Sequence, residues 1–484
     1  VNRQIVKLFA LIAALFALLV GFTSYWSVFD AKALKEKSAN QRPLLEQQQI
    51  RRGRILAADG SVIARSVAKG RGANRRYVRR YPEGALYGHP IGYSFVRQGD
   101  SELERSHNEE LVGGSSEFSS ILDQLRGGGQ QGDDVATNLD PAAQRAALAD
   151  LEAAGLGAVV AIEPNSGRVR VLASNPPFDP NRVPEHPSSL NTDPTSSLFD
   201  RATQGQYPPG STFKVVTAAA GLDSGAVTPE STIDAPGTIA VQGRPLQNDF
   251  NQSFGPISLD TALTHSVNTW FAQLGERVGQ GTLFDYMDRF GFNSTPAIDL
   301  PSTQVSKSGV FEDRELLGRG DPVDVARVAI GQERLAVTPL QMAEVAAAVA
   351  NGGRLMKPQI WSRVVAPDGR VVKRLEPSEY SRPIDATTAA ELTTAMEGVV
   401  SAGTGTNAAI PGVAVAGKTG TAETPYNETC GGGTEENQAW FIGFAPADEP
   451  KIAIAATVEC TTRFGNDVAA PIFRDVAETI LGEG

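Results

Sequence analysis

Three small groups of residues have the types needed to activate a hydroxyl and hold a peptide: Ser211 with Lys214, Ser266 with Asn268, and Lys418 with Thr419 and Gly420. A serine becomes an effective nucleophile when a neighbouring base takes its proton. Lysine serves as that base only where its surroundings lower its pKa, and apolar burial does so. The stretch Tyr207-Pro208-Pro209-Gly210-Ser211-Thr212-Phe213-Lys214-Val215-Val216 offers such surroundings. Pro-Gly breaks the preceding chain, and the apolar, Ala-rich run to Leu222 reads as a buried helix. Ser211 and Lys214, three apart, share one face of that helix. They lie at its positive end, where a developing negative charge is favoured.

Ser266-Val267-Asn268 falls between a helical run capped by Ser258 and the run Trp270-Phe271-Ala272-Gln273-Leu274-Gly275. A short loop there projects both side chains into a cleft. The hydroxyl can relay a proton to a leaving amine, and the amide can pair with a peptide backbone. Val413-Ala414-Val415-Ala416 reads as an apolar strand entering Lys418-Thr419-Gly420. A fixed cation beside a hydroxyl suits a carboxylate. Gly420, lacking a side chain, lets a ligand lie close along the strand. Each pattern recurs elsewhere: Ser66-Val67-Ala68-Lys69, Ser-x-Asn at Ser38, Ser106 and Ser189, and Lys307-Ser308-Gly309. No apolar helix follows Ser66, and Lys307 lies in a polar loop without an apolar strand, so these copies read as incidental.

The elements that must position these groups are legible in outline. From Leu8 to Trp26 no residue is charged, close to the ~20 residues that span a bilayer. Arg3 and Lys7 precede the run, which favours a cytoplasmic N-terminus. No small-x-small site follows closely, so the segment reads as an uncleaved anchor rather than a signal peptide. Residues 29–50 are a polar, Gln-rich stalk. In Arg52 to Ala64 two apolar runs flank Asp59-Gly60, a hairpin signal. Ser101 to Gly113 reads as a short charged helix, and Gly113 to Asp134 as a loose Gly-rich stretch. Asp140 with Pro141 is an N-cap and N1 pair opening a helix to Ala154. Ala158-Val159-Val160-Ala161-Ile162 and Val169-Arg170-Val171-Leu172-Ala173 form a hairpin at the edge of an antiparallel sheet. Thr338 with Pro339 opens a long core helix ending near Asn351. Strands at Ala439–Phe444 and Ile452–Val458 follow, and a last helix, from about Val468 to Leu481, closes the sheet.

Composition narrows the field. The length of 484 residues suggests two or more domains, and 41% hydrophobic with 20% charged residues fits large cores. A net charge of -11 without a basic stripe argues against nucleic acid as a partner. Two cysteines are too few for a disulfide scaffold or zinc cluster, and His89, His107, His186 and His265 are scattered outside any metal motif. The chemistry expected here uses no metal, no cofactor and no histidine; His265, though beside Ser266, reads as structural.

Ser-x-x-Lys, Ser-x-Asn and Lys-Thr-Gly, in that order and context, resemble the signature of penicillin-binding proteins and serine β-lactamases. Pro208-Pro209-Gly210-Ser211-Thr212-Phe213-Lys214, Gly331-Gln332 with Thr338-Pro339-Leu340-Gln341, and Gly417-Lys418-Thr419-Gly420-Thr421-Ala422-Glu423 look like a class B penicillin-binding protein. Arg52-Gly53-Arg54-Ile55 and the segment Glu102 to Gly113 are similar to that family's N-terminal module. Asp200 departs from it, since many relatives carry Asn there. The resemblance implies an α/β (α+β) transpeptidase fold, with an antiparallel sheet flanked by helices behind a smaller mixed domain and one transmembrane helix. The expected divisions are an anchor at 1–28, a stalk at 29–50, an N-terminal module at 51–155 and a transpeptidase domain at 156–484.

The same resemblance implies a D,D-transpeptidase that cross-links peptidoglycan stem peptides and is a target of β-lactam antibiotics. Ser211 would be the nucleophile, Lys214 its base and Ser266 the proton relay. Asn268 would hold the donor peptide, and Lys418, Thr419 and Gly420 its carboxylate end. Backbone N–H groups of Ser211 and Thr421 would form the oxyanion hole. Its setting would be the outer side of the cytoplasmic membrane, with a membrane glycosyltransferase and division or elongation proteins as prospective partners. The alternatives are a D,D-carboxypeptidase or β-lactamase using water as acceptor, and a non-catalytic scaffold or sensor. Val267, where class A lactamases carry Asp, and the anchor argue against a lactamase; three intact motifs argue against a vestigial site.

The chain's two cysteines, Cys430 and Cys460, both fall in the part assigned to the outside of the membrane, where disulfides persist. Cys430 follows the Lys-Thr-Gly strand and Cys460 ends a strand two antiparallel steps away. The two strand ends then share one edge of the sheet, and a Cys430–Cys460 bond is expected.

Overall fold

The computed structural model describes residues 2–28, 49–71, 75–113, 131–185, 193, 195, 197–424 and 436–482. The uncharged N-terminal run lies in helix α1 (Asn2–Val28), whose segment Arg3–Phe22 has a mean hydropathy of 2.6 and is long enough to cross a bilayer.

A first sheet begins with β1 (Ile55–Leu56), β2 (Val62–Lys69) and β3 (Arg76–Arg80). The hairpin read at Asp59-Gly60 forms, pairing Ile55 with Ala64 and Leu56 with Val62. Helix α2 (Glu102–Ser106) follows, then β4 (Asp134–Thr137), parallel to β1. Glu104 on α2 is fully buried and accepts bonds from Arg52 Nε at 2.7 Å, Arg79 Nε at 2.5 Å and the Tyr81 hydroxyl at 3.1 Å. Burial alone would raise its pKa, but Arg79 and Arg52 hold it below the ordinary value. Removing one partner of such a group leaves a buried charge uncompensated, at a cost of about 3–5 kcal/mol.

Helix α3 (Pro141–Ala154) starts as read, with Asp140 Oδ1 accepting from the N–H groups of Ala142 and Ala143. Strands β5 (Gly157–Ile162) and β6 (Val169–Asn175) form the expected hairpin. Then come helices α4 (Lys214–Asp223), α5 (Leu259–Thr264), α6 (Asn268–Val278) and α7 (Pro339–Ala350). Strands β7 (Trp361–Val365) and β8 (Val371–Arg374) precede helix α8 (Ala386–Ser401). The chain closes with β9 (Ala416–Thr424), β10 (Glu436–Ala445), β11 (Ile452–Thr461) and helix α9 (Gly465–Leu481), which begins three residues before the expected start.

The second sheet is antiparallel throughout, in the order β9-β10-β11-β5-β6. Along β5 the side chains alternate between two cores. Ala158, Val160 and Ile162 face the core shared with α4, α7 and α8; Val159 and Ala161 face the one shared with α3 and α9. Helices on both faces explain why the strand reads as an unbroken apolar run rather than an alternation.

The first sheet runs β8-β7-β4-β1-β2-β3. Its strands β7 and β8 therefore come from the segment read as transpeptidase domain, and they complete the sheet begun by the N-terminal segment. A seam joins the two sheets. Asp299 accepts the N–H groups of Ile360 and Trp361 at 2.7 and 2.9 Å. Gln359 N–H donates to Gly167 O at 2.8 Å, Val169 N–H to Gln359 O at 2.9 Å, and Asp140 N–H to Arg170 O at 2.8 Å.

Candidate active site

The chain enters the site along Tyr207, which exchanges both backbone bonds with Val337. The Tyr207 hydroxyl donates to Glu459 at 2.6 Å, and Trp440 Nε1 donates to Pro208 O at 3.0 Å. Gly210 takes φ +52° and starts a single 3-10 turn, Gly210–Phe213, that runs into α4. Ser211 thus sits in that turn rather than in the α-helix proper, while Lys214 opens α4. Early positions of such a turn leave N–H groups without an acceptor inside it, so the Ser211 N–H is available to an incoming oxygen.

Ser211 is half-buried and Lys214 fully buried. Lys214 Nζ donates to Ser266 O at 2.7 Å and to Asn268 Oδ1 at 2.6 Å, and lies 3.2 Å from Ser266 Oγ. The Phe271 ring lies 5.6 Å from Nζ. Burial, and then the positive charge of Lys418, push the Lys214 pKa well below its ordinary value, while Asp249 opposes the shift. A neutral amine with both N–H groups engaged on carbonyl oxygens keeps its lone pair for a hydroxyl proton.

Ser266 and Asn268 hold their places through local geometry. Ser258 caps α5 through the Thr261 N–H. The helix then ends with Ser266 at φ +57°, and Val267 N–H returns to Ala262 O at 2.9 Å. Asn268 is the first residue of α6, and its Nδ2 donates to Gln247 O at 3.0 Å. The loop between two helices was expected to project both side chains into a cleft; that both reach the Lys214 amine is a relation only the fold supplies.

On the other side stands β9. Lys418 is fully buried, and its Nζ donates to Thr419 O at 3.0 Å. Burial lowers its pKa to about 7, so it is a cation for only part of the neutral range. The Thr419 hydroxyl pairs with that of Thr404 at 2.6 Å. Sequence reasoning missed Thr404; its flanking Gly403 and Gly405 were the available signal. Gly403 lies against the end of α5, where a Cβ would come within 2.3 Å of Thr264 O.

Gly420 has a different reason from the one expected. A Cβ there would lie 2.7 Å from Pro209 O and 2.9 Å from Thr212 Cγ2. The space left by its missing side chain is taken by the turn that carries Ser211, not held open for a ligand. Gly210 likewise presses on the strand, its hypothetical Cβ 2.9 Å from Thr421 O. These approaches bring Ser211 and Thr421, the two residues expected to form the oxyanion hole, onto adjoining backbone.

Two of the incidental copies, at Ser66 and Lys307, have other settings, and those at Ser38 and Ser189 lie outside the described residues. Ser66 and Lys69 lie on β2, with Ser66 Oγ donating to Arg52 O. Ser308 is buried and caps a backbone N–H of Thr338; Gly309, expected in a polar loop, opens a short strand. His265 stacks on Phe254. Asp200 is buried and accepts from Ala202 N–H and the Thr203 hydroxyl. Cys460 is disulfide-bonded, and Cys430 lies outside the described residues.

Comparison with known proteins agrees with this geometry. Residues 157–478 match the penicillin binding protein transpeptidase domain, and residues 52–135 the penicillin binding protein A dimerisation domain. The chain is 34% identical over 508 residues to the peptidoglycan D,D-transpeptidase PbpA of Mycobacterium tuberculosis, with 99% of each covered. To PbpA of Mycolicibacterium smegmatis it is 33% identical over 510 residues, with 100% of each covered. The imipenem acyl-enzyme complex of penicillin-binding protein A from M. tuberculosis superposes with a TM-score of 0.81 at 34% identity, covering 90% of this chain and 100% of that one. The D,D-transpeptidase domain of a peptidoglycan glycosyltransferase from Eggerthella lenta gives 0.77 at 31% identity, covering 90% and 99%. With one buried lysine shared by two motifs, a serine turn packed on the third and likeness along its whole length, the chain belongs to the penicillin-binding protein transpeptidase family.

Proposed function

We propose that this enzyme is a peptidoglycan D,D-transpeptidase working through an acyl-enzyme on Ser211. Lys214 takes the Ser211 proton as Oγ attacks the penultimate D-Ala carbonyl of a donor stem peptide. The oxygen becomes an oxyanion between the N–H groups of Ser211 and Thr421, a kind of stabilisation usually worth several kcal/mol. The C–N bond then breaks, and D-Ala leaves with a proton passed from Lys214 through Ser266. An acceptor amine from a second stem attacks the ester, gives up its proton by the same route, and Ser211 is regenerated. Asn268 holds the donor backbone, and Lys418 with Thr419 holds its terminal carboxylate. A β-lactam enters the first half of this path and stops at the acyl-enzyme.

The observation that carries the reading is the convergence of Ser266 and Asn268 on Lys214 Nζ within 3.2 Å, one turn from Ser211. Helix α1 supplies the anchor, with Arg3 and Lys7 on the cytoplasmic side and the catalytic domain outside. Mass spectrometry after penicillin treatment tests the assignment. The adduct should map to the peptide containing Ser211 and vanish in Ser211→Ala; an adduct on Ser66, or one persisting in the variant, overturns it. Loss of cross-linked product in Ser211→Ala, with purified glycan strands as substrate, separates transpeptidation from penicillin binding alone.

A further inference from the structure

A cavity of about 280 Å³ opens on the seam between the two sheets, and four arginines line it: Arg168, Arg170, Arg363 and Arg374. Arg168 immediately precedes β6, Arg170 lies in it, and the other two belong to the β7–β8 hairpin. Strand β6 is the edge opposite β9, so the cavity lies four strand spacings, roughly 19 Å, from the Lys-Thr-Gly strand.

The neutral polar groups of the wall are already committed. Asn138 Nδ2 donates to Gln359 O and Trp361 O at 3.0 and 3.1 Å, and Gln359 Nε2 to Glu376 O at 3.1 Å. Ser362 Oγ donates to Ala136 O at 3.1 Å. What remains to meet a ligand is guanidinium. Arg168 is held from behind by Glu163 at 3.6 Å, and Arg170 by Asp140 at 2.7 Å and Glu163 at 3.4 Å. The Arg170 Nε is nevertheless buried with no hydrogen-bond partner among the described residues. Arg363 and Arg374 stand directly opposite each other in the β7–β8 pairing. Like charges in that register destabilise a sheet. Other basic residues of the hairpin are paired, Arg370 with Asp368 and Lys373 with Glu110. Among the described residues Arg363 and Arg374 have no ion pair, and Glu376, the one carboxylate in the lining, does not balance the two of them.

We propose that this cavity binds a multiply charged phosphate-type oxyanion, of about the size of a diphosphate, between the guanidinium groups of Arg168, Arg170, Arg363 and Arg374. Guanidinium forks match phosphate oxygens bidentately, and an anion with two or more charges offsets the facing Arg363 and Arg374 together. The ligand touches both sheets, so its binding ties the N-terminal sheet to the transpeptidase sheet and stabilises the folded chain by mass action. A free diphosphate and a lipid diphosphate headgroup share this chemistry.

The test uses the full chain in detergent, titrated with inorganic pyrophosphate by calorimetry and followed by thermal unfolding at constant ionic strength. Expected are saturable one-site binding and a rise in Tm that chloride does not reproduce. The Arg363→Ala/Arg374→Ala variant should bind at least about 10-fold more weakly while penicillin acylates Ser211 at the parental rate, which shows that it is folded. Arg363→Lys, which keeps the charge but not the fork, should fall between. Reconstitution into phosphatidylcholine vesicles with and without a lipid diphosphate separates the sources. Weaker apparent pyrophosphate affinity in the lipid-diphosphate vesicles assigns the site to a headgroup, and unchanged affinity assigns it to a soluble anion. Binding no tighter than that of chloride, or full affinity retained by the double variant, overturns the proposal.

Discussion

Gly331 holds the carbonyl oxygen of Gly210 where its own Cβ would otherwise be: a Cβ built there would lie 1.9 Å from that oxygen. In return the Gly210 N–H donates to Gly331 O at 3.0 Å. Gly331 also takes φ +77°, a conformation that L side chains rarely adopt. The position of the turn that carries Ser211 is thus set from behind by a residue far along the chain. Gly331→Ala should push the turn off its seat and slow penicillin acylation by about 100-fold, since misplacement of reacting atoms by an ångström has effects of that order. A parental acylation rate in a folded variant excludes the positioning role.

The two buried lysines predict a pH profile. In the proposed reaction Lys214 must be neutral to accept a proton, and Lys418 must be charged to hold a carboxylate. Burial lowers both, Lys418 to about 7. Acylation should therefore gain with pH as Lys214 loses its proton, and lose as pH climbs through about 7 and Lys418 loses its charge. Lys418→Arg stays charged and should move the falling limb to higher pH. Lys214→Arg should nearly abolish acylation, because Arg does not act as a base. Rates measured between about pH 5 and 9 decide this; a falling limb unmoved in Lys418→Arg removes that lysine from the explanation.

Glu344 is buried in α7, 5% exposed, and burial alone raises its pKa from 4.5 to about 8. Between those values the folded chain holds a proton that the unfolded chain releases. The contribution is fully present below 4.5 and is lost as pH rises through about 8. Glu344→Gln should flatten the pH dependence of stability and be the more stable form in mild alkali. The difference should reach a few kcal/mol, since each pH unit between the folded and unfolded pKa is worth ~1.4 kcal/mol. Urea unfolding at about pH 6 and pH 9 reads this directly. Parallel pH dependences in parent and variant would show that Glu344 does not titrate there.

Cys460 takes φ +53° and is disulfide-bonded. Cys430 is the only other cysteine of the sequence. Thiol counting on unreduced, denatured protein should find none free, and reduction should cost roughly 3.5–4 kcal/mol for a loop of this size by the chain-entropy model. Two free thiols per chain would refute the pairing.

Most of the local grammar was legible without coordinates. Asp140-Pro141, Ser258 and Thr338-Pro339 open helices as read, because a cap depends on a few adjacent residues. The Ser211 motif was separable from its copy at Ser66 by what flanks it, since an apolar helix is a property of neighbours, whereas the copy at Lys307 proved to run into a short strand. A helix long and apolar enough to cross a bilayer needed only composition and length.

What tertiary structure decided are relations between distant residues. That β7 and β8 complete a sheet begun near Ile55 has no local signal, because strand pairing is set by which edges remain unpaired after packing. The reason for glycine at Gly420 reversed for the same cause: a missing side chain is visible in the sequence, but whether a ligand or Pro209 fills the space is not. Thr404 reached Thr419 only through the fold. Lys214 shows the division most plainly. Lysine at the third position after serine is written in the chain, but its depressed pKa depends on burial beside Lys418, and proximity across the chain is a property of packing alone.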